Sequence, residues 1–194
     1  MTNKINLAIF GSGKGSNAIN IINYFKAHSH ININVLASDK ARRGFLDISY
    51  EYRINLEFIT GNELIDKEWA DRFIDNYQPD LIILAGFLKL IPQQFIQRFP
   101  DRIINIHPSL LPDFGGKGMY GMRVHEAVIN SKKKQSGITV HYVNENYDEG
   151  KIIFQAACNI DEGETAKSLA KKIHALEHKH FPQVIENLIN AKFI

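Results

Sequence analysis

Short apolar runs bounded by turn residues recur at Ile5 to Phe10, Ile31 to Leu36, Leu56 to Ile59, Leu81 to Ala85 and Ile103 to His107, with amphipathic stretches between them. Runs of this kind suit strands buried on both faces, and strands that alternate with helices require right-handed crossovers. The order therefore predicts an α/β fold with a mostly parallel central sheet and helices on both faces. Ala18, Ile19, Ile21, Ile22 and Phe25 form the apolar stripe of a first helix, and Glu63 to Tyr77 reads as another, closed by Gln78-Pro79. After His107 the pattern changes. The stretch Phe114-Gly115-Gly116-Lys117-Gly118-Met119-Tyr120-Gly121 lacks periodicity and reads as a mobile loop. Gly137 to Val143 and Ile152 to Cys158 read as two more strands, joined by the polar segment Asn144 to Lys151. Thr165 to Ile189 reads as a long C-terminal helix with a threonine cap, interrupted or kinked at Pro182.

At 194 residues with 44% hydrophobic content, one domain over 1–194 is expected. The 23 basic and 21 acidic residues leave a net charge of only +2, which argues against a nucleic-acid partner. Lys132-Lys133-Lys134, after a helix end at Asn130, reads as a solvated loop. The single cysteine, Cys158, cannot close an intrachain disulfide and reads as a packed thiol, in keeping with a reducing compartment. There is no signal-peptide layout, and the longest apolar run, Leu81 to Leu88, is too short to span a membrane. A cytoplasmic protein without a membrane partner is the expectation.

The run Asn105-Ile106-His107-Pro108-Ser109-Leu110-Leu111-Pro112 places a carboxamide and an imidazole two residues apart at the end of a strand. Residues two apart in an extended chain share a face, and Pro108 fixes the backbone where it leaves the sheet. A neutral donor beside a titratable one suits a carbonyl that becomes an oxyanion. Asp148, in the polar segment, reads by itself as a solvated or capping turn residue, and His141 as structural. No metal is expected: His174, His178 and His180 lack a supporting motif, and the first two, four apart, read as an exposed pair.

Directly after the first strand comes Gly11-Ser12-Gly13-Lys14-Gly15-Ser16-Asn17. Glycines allow close approach to a ligand, and a helix N-terminus attracts an anion. The spacing is neither that of a P-loop, since Gly15 follows Lys14 and Ala8 stands at the first glycine, nor a G-x-G-x-x-G fingerprint, since Ser16 holds the last place. By itself the turn fits a phosphate cradle or a tight connection capped by Ser16 or Asn17.

Taken together, the first-turn residues, Leu84-Ala85-Gly86-Phe87, the Asn105 motif, Gly137-Ile138-Thr139-Val140-His141, Asp148-Glu149-Gly150 and Glu177-His178 occur end to end in the order found in the phosphoribosylglycinamide formyltransferase family, which the chain resembles. The Asn-His-Pro-Ser core also recurs in other formyltransferases, such as methionyl-tRNA formyltransferase. The resemblance implies a Rossmann-like formyltransferase fold and transfer of a formyl group from 10-formyltetrahydrofolate to 5'-phosphoribosylglycinamide. It implies catalysis by Asn105, His107 and Asp148, with Asp148 favouring the charged form of His107. The ribonucleotide phosphate would lie on Gly15, Ser16 and Asn17, and Glu177 would contact the glycinamide. The folate would lie against Leu88, Lys89, Leu90 and Ile91, and against Asn105 and the loop Asn144, Glu145, Asn146, Tyr147 and Asp148. Small-molecule substrates, no metal, and a monomer or weak homodimer complete the expectation. Lys89 stands where many members have arginine, and a basic folate-contacting residue of some relatives has no counterpart near Asn62 and Glu63. The rival readings are a formyltransferase acting on an amino sugar nucleotide or aminoacyl-tRNA, and a non-catalytic phosphometabolite or folate sensor.

Overall fold

The structure, a computed structural model, describes residues 4–41, 44–60 and 62–193. They divide into two compact units between Asn105 and Ile106. The chain order is β1 (Ile5–Phe10), α1 (Ser16–Phe25), β2 (Ile31–Ser38), α2 (Phe45–Tyr52), β3 (Asn55–Phe58), α3 (Lys67–Tyr77), β4 (Leu81–Leu84), α4 (Gln93–Ile96), β5 (Ile103–His107), α5 (Met122–Asn130), β6 (Gln135–Tyr142), β7 (Ile152–Asn159) and α6 (Ala166–Phe193). Strands are ordered β3-β2-β1-β4-β5-β6-β7. The pairings from β3 to β5 are parallel and β6 meets β7 antiparallel, giving the mostly parallel sheet expected.

In the first unit β1 lies between β2 and β4, with Leu7 opposite Ile33 on one side and Leu81 on the other. Leu7, Ala8, Ile9 and Phe10 are all fully buried, as a central parallel strand requires. Phe10 meets Phe73 of α3 edge-on at 5.7 Å, and Trp69 stacks on Phe73 at 5.0 Å, so the strand and α3 share an aromatic core. The helix expected from Glu63 begins at Lys67 because the Asp66 carboxylate accepts the Glu68 N–H at 2.9 Å and caps it there.

In the second unit β6 is buried along Ser136 to His141, whereas β7 alternates exposed and half-buried positions, the pattern of an edge strand. Thr165 caps α6 as expected: its Oγ1 accepts the Ser168 N–H at 3.1 Å and its own N–H donates to Ser168 Oγ at 3.0 Å. The helix runs on past Pro182, which is buried with Phe181, Val184 and Ile185. Among the described residues no helix is long and apolar enough to cross a membrane.

Candidate active site

β5 ends in His107, which is only 3% exposed, and the chain then turns back under hydrogen bonds from the β6–β7 hairpin. Thr139 Oγ1 donates to the Ser109 carbonyl at 2.7 Å and accepts from Leu111 N–H at 3.0 Å and from Gln155 Nε2 at 2.9 Å. One donor proton and two lone pairs are thus all in use. Gln155 Nε2 also donates to the Leu111 carbonyl at 3.0 Å, and Ser109 Oγ donates to the Asp113 carbonyl at 2.7 Å. These bonds suspend residues 109–113 from two strands and set where the chain goes next.

It goes to His107. The imidazole Nε2 lies 2.9 Å from the Phe114 carbonyl, and Nδ1 faces Asp148 Oδ2 at 3.4 Å. Asp148 Oδ2 accepts the Gly116 N–H at 2.9 Å, and its other oxygen lies 3.7 Å from His141 Nε2. Asp148 is therefore not the solvated turn residue that its segment suggests: its side chain is 11% exposed and drawn inward by two histidines and an amide. Burial alone would push its carboxyl up, yet the close approach of His107 and His141, the charge of His107 and the Gly116 N–H hold it far below the usual carboxylate range.

Backbone strain surrounds the pair. Phe114 (φ 58°) and Asp148 (φ 59°) both occupy the left-handed region, which costs an L-residue about 1–2 kcal/mol. At Gly115 a Cβ would lie 2.6 Å from the Leu111 side chain and 3.2 Å from Asp148 Cβ, so the backbone there passes close to both side chains. The Gly-rich segment 113–121 thus has two backbone groups tied to His107 and Asp148. The nearby basic run is also engaged, since Lys133 pairs with Asp113 and lies over the Phe114 ring. His125 of α5 is buried, and burial together with the charge of His107 pushes its pKa down.

Asn105 and His107 stand at alternate positions of β5, so their side chains leave the same side of the strand. In the first unit α1 starts at Ser16, with Gly15 as N-cap at φ 80°. Neither Ser16 nor Asn17 holds the cap position, which corrects the capping alternative for this turn. A Cβ at Gly15 would collide with the Ile48 side chain of α2. Leu88, Lys89 and Leu90 are exposed and Ile91 is buried, with Lys89 Nζ donating to the Thr60 carbonyl at 3.3 Å. In the second unit Asn144 Oδ1 accepts the Asn146 N–H at 3.1 Å, Glu145 and Asn146 are exposed, and Tyr147 is half-buried. Glu177 is half-buried on α6, beside His178, whose ring lies 4.0 Å from that of His174. No group of three or more His, Cys, Asp or Glu suited to a metal occurs among the described residues.

A family model described as formyl transferase matches residues 5–185. The chain belongs to the formyl transferase family. A phosphoribosylglycinamide formyltransferase of Bacillus subtilis is 35% identical over 187 residues, covering 94% of this formyl transferase and 93% of the relative. The chain spans only 41% and 62% of the length of chloroplastic relatives of the same name from Arabidopsis thaliana and Vigna unguiculata, at 46% and 37% identity over 66% and 97% of this chain. A crystal structure of phosphoribosylglycinamide formyltransferase from Bacillus halodurans superposes with a TM-score of 0.84 at 33% identity over 95% of both chains. The family relationship implies a folate-derived formyl donor.

Sequence reasoning missed the Phe114 and Gly116 backbone groups, Thr139, Gln155 and the approach of His141 to Asp148. Thr139 and His141 sit two apart on one strand, the same signal that picked out Asn105 and His107.

Proposed function

We infer that this chain transfers the formyl group of 10-formyltetrahydrofolate to the amine of 5'-phosphoribosylglycinamide, giving 5'-phosphoribosyl-N-formylglycinamide and tetrahydrofolate in purine synthesis. The observation that carries the reading is the buried His107–Asp148 pair, with His107 Nε2 anchored at 2.9 Å and Nδ1 loosely opposed at 3.4 Å, in a member of this family. Relatives named phosphoribosylglycinamide formyltransferase, one of them matched over 93% of its length, support this choice of substrate.

The substrate amine attacks the formyl carbon and the carbonyl oxygen takes up negative charge. Asn105 Nδ2 and the imidazolium of His107 donate to that oxygen, and one preorganised donor of this kind contributes about 3–4 kcal/mol to lowering the barrier. His107 donates from Nδ1, because the 3.4 Å separation from Asp148 leaves that proton free to be shared, whereas Nε2 is committed to Phe114. Asp148, ionised at all but strongly acid pH, balances the imidazolium and relays the proton lost by the amine, through water, to the departing folate nitrogen. The C–N bond to the folate then breaks. No covalent acyl-enzyme forms; burial pushes the Cys158 thiol up, away from a thiolate nucleophile.

Gly15, Ser16 and Asn17 hold the ribonucleotide phosphate, with Gly15 letting the backbone approach it. Glu177 receives the glycinamide. Leu88 to Ile91, Asn105 and Asn144 to Asp148 receive the folate. The chain works as one catalytic domain, a monomer or weak homodimer in the cytoplasm, on small molecules without metal, nucleic acid or membrane. Spectroscopic detection of folate product on adding glycinamide ribonucleotide tests the reading: product only with that acceptor is expected, and product with an amino sugar nucleotide or charged tRNA instead would replace it.

A further inference from the structure

The parallel ladder of β1 and β4 reaches Ala85 N–H on the Phe10 carbonyl, at 2.8 Å. Beyond the last paired residues a second connection follows. Ser12 N–H donates to the Gly86 carbonyl at 2.9 Å, and Ser12 Oγ accepts the Leu88 N–H at 3.0 Å. One half-buried residue therefore fastens the turn after β1 to the turn after β4 by a backbone bond and a side-chain bond. The two bonds differ in kind: any residue but proline at position 12 can supply the first, but only a side chain with an oxygen acceptor near the backbone can supply the second.

The two turns carry different ligands on the function proposed above, and the inference rests on that reading. Ser12 lies three residues before Gly15, the first phosphate residue, and it binds the amide of Leu88, the first folate residue. We propose that Ser12 is a positioning residue that couples the two: a ribonucleotide ordering the first turn also orders the Leu88 segment, and the folate returns the same effect. Such coupling is reciprocal and commonly amounts to about 5- to 150-fold in affinity. The Leu88 N–H loses only an exposed bond when the hydroxyl is removed, since water can replace it, and the Ser12 N–H bond to Gly86 remains. The fold therefore tolerates the change and the communication does not.

Calorimetric binding of glycinamide ribonucleotide and of a nonreactive folate analogue, each alone and each with the other present, tests this in the wild type, Ser12→Ala and Ser12→Thr. In the wild type each ligand is expected to tighten the other at least about fivefold. In Ser12→Ala each should bind alone within about threefold of wild type while the mutual tightening falls to near unity, and Ser12→Thr, which keeps the oxygen, should restore it. Full mutual tightening in Ser12→Ala overturns the proposal, as does a wild type that binds both ligands without it; in both cases the functional reading stands. A wild type that binds neither ligand removes the functional reading and this inference with it.

Discussion

The turn after β1 and the turn after β5 both leave the carboxyl end of a parallel strand, the customary place for a site in an α/β sheet, yet they keep their shapes by opposite means. The first depends on what is absent: Gly15 adopts φ 80° with the Ile48 side chain where a Cβ would stand. The second depends on what is present: Thr139 and Gln155 hold the Ser109 and Leu111 backbone, and that path presents the Phe114 carbonyl to His107. An added carbon should therefore damage the first turn, and a lost hydrogen-bonding group the second. Binding should suffer in one case and turnover in the other.

The comparison breaks most visibly at His107. His107→Ala should lower kcat about a thousandfold while the affinity for ribonucleotide stays within about threefold, because the loss falls on the transition state; steady-state kinetics with circular dichroism as a fold control reads both. Gly15→Ala should do the reverse. Its KM for ribonucleotide should rise about tenfold or more with kcat nearly kept, at a stability cost of about 1–3 kcal/mol measured by urea unfolding. If Gly15→Ala instead lowers kcat alone, the division of labour between the turns is wrong.

Thr139→Val sharpens the second turn. It leaves the Leu111 N–H without its acceptor and should cost about 1–3 kcal/mol of stability, together with a loss of kcat of about tenfold as the Phe114 carbonyl drifts from His107. An unchanged kcat would uncouple the network from the imidazole.

The smallest effect concerns pH. His125 has its folded pKa pushed below the ordinary value of about 6.5, so the unfolded chain binds more protons between those two values. Stability must then fall as pH drops below about 6.5, and His125→Asn should flatten that part of the denaturation profile. Asp148 works at a lower pH: its depressed carboxyl stabilises the fold above the ordinary carboxylate range, and that contribution is lost as pH falls through its folded value. A profile whose slope below 6.5 is the same in His125→Asn would remove His125 from the account.

What could be read in advance follows from range. Strands β1 and β5 were legible to the residue because mostly apolar runs stop at Gly11 and Pro108, both local signals. α2 was not, since only Phe45 and Ile48 of its eight residues are buried and two positions make no period. Of α5 only the end at Asn130 was legible, since Gly118 and Gly121 precede it and conceal its start. At the site, the types Asn105 and His107 announced themselves by spacing. Asp148 by itself did not: what distinguishes it from a solvated turn carboxylate is the 3.4 Å approach to His107, 41 positions away in the chain. The Phe114 and Gly116 contacts are made by backbone atoms, which every residue has, so no residue type could mark them.

On the function proposed above, the Asp148 carboxylate acts with His107 in moving protons during formyl transfer. Single-turnover formyl transfer in Asp148→Asn, with both substrates saturating, measures that step apart from binding. The carboxamide keeps the shape and an oxygen for the Gly116 N–H but carries no charge, so a fall in rate of about a hundredfold or more is predicted, with ribonucleotide affinity unchanged. A rate within about threefold of wild type would contradict it.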